Sequence, residues 1–135
     1  MACLDTTILI DLAGRNSPRK EQAVRKIEEL AGKGQTLATT RFNVAELYVG
    51  VARSRRPEED EKAIKALLSD FEVLEFNDAA ARLFGSITGF LRQIGKPAGD
   101  MDVLIAATAM VHGHSLITRN PRHFRHIPSL TVEDY

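Results

Sequence analysis

The sequence predicts a single α/β domain built on a mainly parallel sheet. Short apolar runs alternate with longer segments of helical periodicity along the whole chain, the pattern of strands joined by helical crossovers. One helical segment, Met101 to Gly113, is apolar almost all the way round (Val103, Leu104, Ile105, Ala106, Ala107, Ala109, Met110, Val111), so it belongs against a sheet. The 135 residues, 44% of them hydrophobic, suffice for one core and leave little room for a second domain.

Ala2 to Leu4 reads as the first strand, with Asp5 at its carboxyl end. A helix from Thr6 to Leu12 follows and is ended by Gly14. Arg19 to Ala31 reads as an amphipathic helix, with Ala23, Val24, Ile27, Leu30 and Ala31 on one face and Gly32 and Gly34 closing it. Thr36 to Ala38 reads as the second strand. Thr39 or Thr40 then caps a helix reaching about Ser54, whose apolar stripe includes Val44, Leu47, Tyr48 and Val51. Pro57 opens another helix, in which Ala63, Ile64, Leu67 and Leu68 recur at helical spacing. Glu72 to Phe76 is the third strand, and Asn77 or Asp78 caps a helix running to about Ile94. Gly95, Pro97 and Gly99 form the loop before the apolar helix. Ser115 to Thr118 is the fourth strand, and Leu130 to Val132 adds a short edge strand.

Eighteen Lys and Arg balance eighteen Asp and Glu, which argues against a strongly basic nucleic-acid binder. With no Trp and 6% aromatic residues, a base-stacking platform is not expected. The longest apolar run, Val103 to Val111, is interrupted by Thr108 and falls far short of the roughly 20 residues a membrane-spanning helix needs. Met1 to Asp5 does not read as a secretory signal, and the lone Cys3 can form no internal disulfide; a cytoplasmic protein is expected.

In an open parallel sheet, chemistry collects outside the carboxyl ends of the strands. Asp5 and Asn120 both fit that rule. Asp102 lies in the first turn of the apolar helix with Asp100 just ahead of it; as a bland alternative, Asp100 is the N-cap and Asp102 complements the helix dipole. Glu46 sits mid-helix between Ala45 and Leu47, with Asn43 and Gly50 on its own face. Gly50 in a helix interior suggests close backbone approach or space left open, and a glutamate there needs a partner or solvent. Asp5, Glu46, Asp102 and Asn120 come from four separate segments. Oxygen ligands of this kind suit a hard divalent cation, Mg²⁺ or Mn²⁺, able to activate water against a phosphodiester.

These four segments resemble the motifs of PIN-domain nucleases, and within them the VapC toxins of toxin–antitoxin pairs. Leu4-Asp5-Thr6-Thr7-Ile8-Leu9-Ile10 resembles the first motif, and Asn43-Val44-Ala45-Glu46-Leu47-Tyr48-Val49-Gly50 the second. Asp102-Val103-Leu104-Ile105-Ala106-Ala107-Thr108-Ala109 resembles the third, and Leu116-Ile117-Thr118-Arg119-Asn120 with Phe124 the fourth. The resemblance spans residues 1–135 and implies a three-layer α/β/α fold and a metal-dependent endoribonuclease. It implies an acidic core of Asp5, Glu46 and Asp102 holding Mg²⁺ or Mn²⁺. Asn120 stands where many relatives carry an aspartate. Thr6, Asn43, Asp100, Thr118 and Arg119 are expected to support the site or contact RNA. A homodimer and a VapB-like antitoxin that blocks the acidic pocket are also implied.

Arg53 to Arg56 and Arg119 to Arg125 are candidate phosphate contacts, or else solvated surface. His112, His114, His123 and His126 match no zinc spacing and are expected to face solvent or hydrogen-bond, and Cys3 to pack in the core. Three other functions compete: a haloacid-dehalogenase-like phosphatase, disfavoured because Thr7 stands where a second aspartate is needed; a phospho-accepting receiver domain, disfavoured by the mid-helix Glu46; and a catalytically inactive PIN-like interaction module.

Overall fold

The computed structural model describes residues 1–135. Five parallel strands form one sheet in the order β3-β2-β1-β4-β5, with β1 (Ala2–Leu4) at its centre. On one side of β1 lie β2 (Leu37–Thr40) and β3 (Glu72–Leu74); on the other lie β4 (Ser115–Ile117) and β5 (Val132–Glu133). Cys3 pairs with Ala38 on β2 and with Leu116 on β4. The chain builds outward from β1 in one direction, then returns to start β4 on the other side. The point where the order reverses is therefore the gap beyond Leu4 and Ile117, the place where open α/β sheets put ligands.

Six helices cover the sheet: α1 (Thr6–Ala13), α2 (Pro18–Gly32), α3 (Arg41–Ala52), α4 (Pro57–Leu68), α5 (Asp78–Gln93) and α6 (Asp100–Val111). The period-two alternation of β1 splits the core. Ala2 and Leu4 join Ile8, Leu9, Ala23, Leu30, Leu47, Ile64 and Ile117 under α1 to α4. Cys3 and Leu116 face the other way, into a second cluster that takes Ile87 and Leu91 from α5 and five residues from α6. This is the three-layer arrangement expected. Cys3 packs as an inert core residue; burial raises its thiol pKa far above the ordinary value. In α6, Thr108 is fully buried and donates to the Leu104 carbonyl at 2.7 Å, so its hydroxyl does not disturb the apolar surface.

Several ends differ from expectation. β2 runs on through Thr39 and Thr40, because both hydroxyls find partners inside the sheet layer and so are cheap to bury. β3 stops at Leu74: Glu75 turns out to pair with Arg41, and Phe76 packs edge-on against Phe42 at 5.3 Å. The edge strand falls at Val132–Glu133. Asp100 is not the cap of α6; Gly99 occupies that position and Asp100 is the first helical residue, without a capping bond. Thr40 and Asn77 are the caps of α3 and α5, and Pro57 opens α4 as expected.

One buried ion pair ties α1 to the segment beyond β4. Arg119 Nη1 donates to both Asp11 carboxylate oxygens, at 2.8 and 2.7 Å, and the Tyr135 hydroxyl donates to Asp11 at 2.7 Å. The arginine that the sequence suggested for RNA contact is thus committed to holding the molecule together. Asp11 has only 8% of its side chain exposed, against 30% for Arg119. Removing one member of a buried pair strands the other charge; with solvent reaching Arg119, Arg119→Ala is expected to cost about 2 kcal/mol in urea unfolding, with Arg119→Lys losing less.

Candidate active site

Asp5 follows the last residue of the central strand, and its backbone N–H is still in the sheet, donating to the Ile117 carbonyl at 2.9 Å. The residue as a whole is 6% exposed. A buried carboxylate needs donors, and each oxygen has one: Asn43 Nδ2 donates to Oδ1 at 3.0 Å, and Thr118 Oγ1 donates to Oδ2 at 2.7 Å. The donors come from the strands flanking β1, Thr118 just beyond β4 and Asn43 in the first turn after β2.

Asn43 is fixed in turn by a capping box. Its backbone N–H donates to Thr40 Oγ1, while its side-chain oxygen accepts from the Thr40 N–H and the Thr40 hydroxyl, at 3.2 and 2.7 Å. With the amide oxygen so engaged, the NH₂ must point at Asp5. It also donates to Thr6 Oγ1 at 2.9 Å, and Thr6 passes its own proton to Glu46 Oε1 at 2.6 Å. On the other side, the Thr118 proton goes to Asp5, so Thr118 is the acceptor for the Asn120 N–H at 3.1 Å and for Thr7 Oγ1 at 3.4 Å. Thr7 accepts from the Arg119 N–H at 3.1 Å. The hydrogen-bond directions are consistent from Thr40 to Arg119.

Glu46 and Asp102 sit half-buried around this centre. Both carboxyl pKa values are raised. Desolvation is the largest cause for Glu46, opposed by the Thr6 hydrogen bond and reinforced by the charges of Asp5 and Asp102. Desolvation also leads for Asp102; the nearby His123, whose Nδ1 lies 3.7 Å away, lowers it and Asp5 raises it. Asp5 acts on both Glu46 and Asp102, and Asp102 on Glu46, so the three acids lie within electrostatic reach of one another, and neither Glu46 nor Asp102 is shifted by a Lys or Arg. The side chains do not close on one point as a finished ligand cage. The donor set is oxygen-rich and mutually repulsive, which fits a hard divalent cation keeping part of its water shell.

The structure brings Asp5, Thr6, Asn43, Glu46 and Thr118 into one hydrogen-bonded set, with Asp102 coupled to it through charge. Other expected residues lie elsewhere. Asn120 is exposed, and its amide makes no hydrogen bond to the acids; only its backbone N–H joins the set, through Thr118. Asp100 is exposed and turns toward a small recess beside Thr88 and Arg92. Arg119 faces Asp11. Nothing approaches Gly50 closely: a Cβ there would meet open space, and the residue lines a shallow groove beside Glu46. Arg56 forms a local pair with Glu59 at 3.6 Å, the solvated alternative for that run. His114 is buried with Nδ1 on the His112 carbonyl, and His112 bonds the Glu75 carbonyl. Thr7, Asp11 and Thr40 were missed. Thr40 with Asn43 carried a readable signal, a capping pair three residues apart; Asp11 reads as an ordinary helix residue.

A family model of the PIN domain matches residues 2–130. The ribonuclease VapC2 of Rickettsia felis is 32% identical over 107 residues, 79% of this chain and 80% of that one. The ribonuclease VapC2 of Haemophilus influenzae is 33% identical over 132 residues, 98% and 96% of the two chains. A crystal structure of VapBC2 from Rickettsia felis, bound to a DNA fragment from their promoter, contains a chain that superposes with a TM-score of 0.89 at 28% identity, covering 99% of this chain and 98% of that one. The family-model match, the sequence identity and the matching fold along nearly the full length agree: this chain belongs to the PIN-domain family, alongside its VapC members.

Proposed function

We propose that the protein is a divalent-metal-dependent endoribonuclease, the toxin of a VapBC-type pair, with Asp5, Glu46 and Asp102 as its metal-holding acids. The single observation behind this assignment is the buried Asp5 carboxylate, oriented by one donor on each oxygen and placed near two further acids whose pKa values are raised by burial and by the charge of Asp5. Three mutually repelling carboxylates destabilise a protein unless a cation joins them. Mg²⁺ or Mn²⁺, when bound, supplies Lewis acidity toward a phosphodiester and lowers the pKa of water.

The chain's own groups have separable tasks. Asp5 is held by one donor on each carboxylate oxygen, which leaves each oxygen a lone pair for a cation. The two donors, Thr118 and Asn43, set the orientation of its carboxylate. Thr6 restrains Glu46 without neutralising it, because a neutral hydroxyl donates only a hydrogen bond. Asn120, on the exposed lip beyond β4, is positioned to orient a water or a phosphate through its amide, without adding charge. Attack of water on phosphorus with departure of the 3′ oxygen, which takes up a proton, leaves a 5′-phosphate and a 3′-hydroxyl. No helix is long and apolar enough to cross a membrane. The Rickettsia felis likeness supports a VapB-like antitoxin as partner, and we assign a homodimer and cytoplasmic action on the same family basis.

Asp5→Asn keeps the shape of the side chain and removes its charge. It is expected to retain the fold by circular dichroism and to lose metal-dependent RNA cleavage by at least about two orders of magnitude, since several kcal/mol of charge stabilisation are at stake. Undiminished cleavage would refute the assignment. In a bacterial host, the wild-type chain should slow growth and a co-expressed VapB-like partner should relieve it; a harmless wild-type chain would favour an inactive interaction module.

The raised pKa values fix the sign of a pH effect. Glu46 and Asp102 bind protons in the folded state at pH values where the unfolded chain has released them. Without divalent metal, their contribution to stability therefore grows as pH falls from neutral through their raised folded values toward their ordinary ones. Glu46→Gln should flatten that part of the melting-temperature profile. Metal binding requires the ionised forms, so protons compete with the metal, and the acid limb of cleavage should move to lower pH as the divalent-metal concentration is raised.

A further inference from the structure

The segment after Asn120 reads Arg122-His123-Phe124-Arg125-His126-Ile127, one three-residue pattern used twice: a cation, a histidine, an apolar residue. The fold separates the roles. Phe124 and Ile127 are 2% and 4% exposed and belong to the core cluster beneath α6, whereas Arg122, His123, Arg125 and His126 are all exposed. Successive turns hold the backbone between the anchors, with His123 N on Asn120 O, Phe124 N on Pro121 O and Ile127 N on Phe124 O, each at 3.1 Å. The two arginines therefore stand at a set spacing on a pinned segment.

With Lys96 and Gly99 from the loop before α6, these side chains line a cleft of about 280 Å³ whose only carboxylate is Asp102. Lys96, Arg122 and Arg125 have no acidic partner within ion-pair distance, unlike Arg119 a few residues earlier, which Asp11 neutralises. In a chain of zero formal net charge, unpaired cations gathered beside an acidic centre are a local device for an anion. No Phe, Tyr or Trp lines the cleft, so it offers no stacking surface for a base.

We propose that this cleft binds a backbone phosphate of the RNA strand, one neighbouring the phosphodiester at Asp5, Glu46 and Asp102, with Arg122, Arg125 and Lys96 as its phosphate contacts. The proposal rests on the nuclease assignment above and adds to it the residues that hold the substrate. Contacts to phosphate position a strand without reading its sequence, and each one adds to the salt dependence of binding.

Binding of fluorescein-labelled oligo(U) is measured in the Asp5→Asn background, so the RNA stays intact, across a salt series. Arg122→Gln with Arg125→Gln is expected to weaken binding roughly tenfold and to lower the log–log salt slope by about 0.7 for each lost contact. Lys96→Gln, in a different segment of the cleft lining, should act in the same direction. Arg25→Gln with Lys33→Gln on α2 removes as many charges elsewhere and should change neither. With Asp5 restored, the arginine changes should raise KM and leave kcat nearly unchanged. Unchanged affinity and slope in both cleft variants, with melting temperatures preserved, would overturn the cleft while leaving the nuclease assignment intact. Loss of RNA binding in the cleft variants, joined to a wild-type chain that cleaves no RNA with any divalent metal, would support the cleft and overturn the nuclease assignment.

Discussion

A carboxylate buried at the end of a central strand is costly unless donors meet it, and much of this molecule is arranged around meeting that cost at Asp5. Thr118 approaches from one neighbouring strand and Asn43 from the helix that follows the other. Both donors are themselves held: Asn43 by the Thr40 capping box, Thr118 by Thr7 and the turn to Asn120. The strand register, the start of α3 and the exit from β4 thus converge on one functional group. Shifting any of them would misdirect a donor or strand the charge.

The same arrangement explains why so neutral a chain can hold so acidic a site. Asp5, Glu46 and Asp102 are spread over three helix starts and flanks, and they come within electrostatic reach of one another because the strand order reverses between β1 and β4. Positive charge is distributed with equal care. Arg119 is used up inside the fold by Asp11, whereas Lys96, Arg122 and Arg125 stay unpaired along the rim next to Asp102. Acid at the centre and base at the edge is the charge pattern that the proposed metal and RNA strand would need together.

The alternation of apolar runs was sufficient to place the strands and helices, because a parallel sheet buried on both faces imposes continuous apolar strands and amphipathic covers. Boundaries shifted where polar residues found buried partners: β2 continues through Thr39 and Thr40, and Thr40 both ends the strand and caps α3 as expected. Asp100 read as a cap because helix starts favour acids, but backbone geometry handed that position to Gly99. Thr6, Asn43 and Thr118 were legible beside the acids through motif resemblance. The phosphatase and receiver alternatives end with membership of the PIN-domain family.

What the amino-acid order settled by itself was local: which segments are helices or strands, which side chains are apolar enough to be core, and which oxygen-bearing residues stand at strand ends. Tertiary structure alone decided the partners. Arg119 and Asn120 are adjacent in sequence, yet one is locked onto Asp11 and the other lies open at the lip, and Asp11 carried no signal of its own. Hydrogen bonds and ion pairs act over a few ångströms, whereas these partners lie tens of residues or more apart along the chain. Only the packing of the helices on the sheet determines which of them meet.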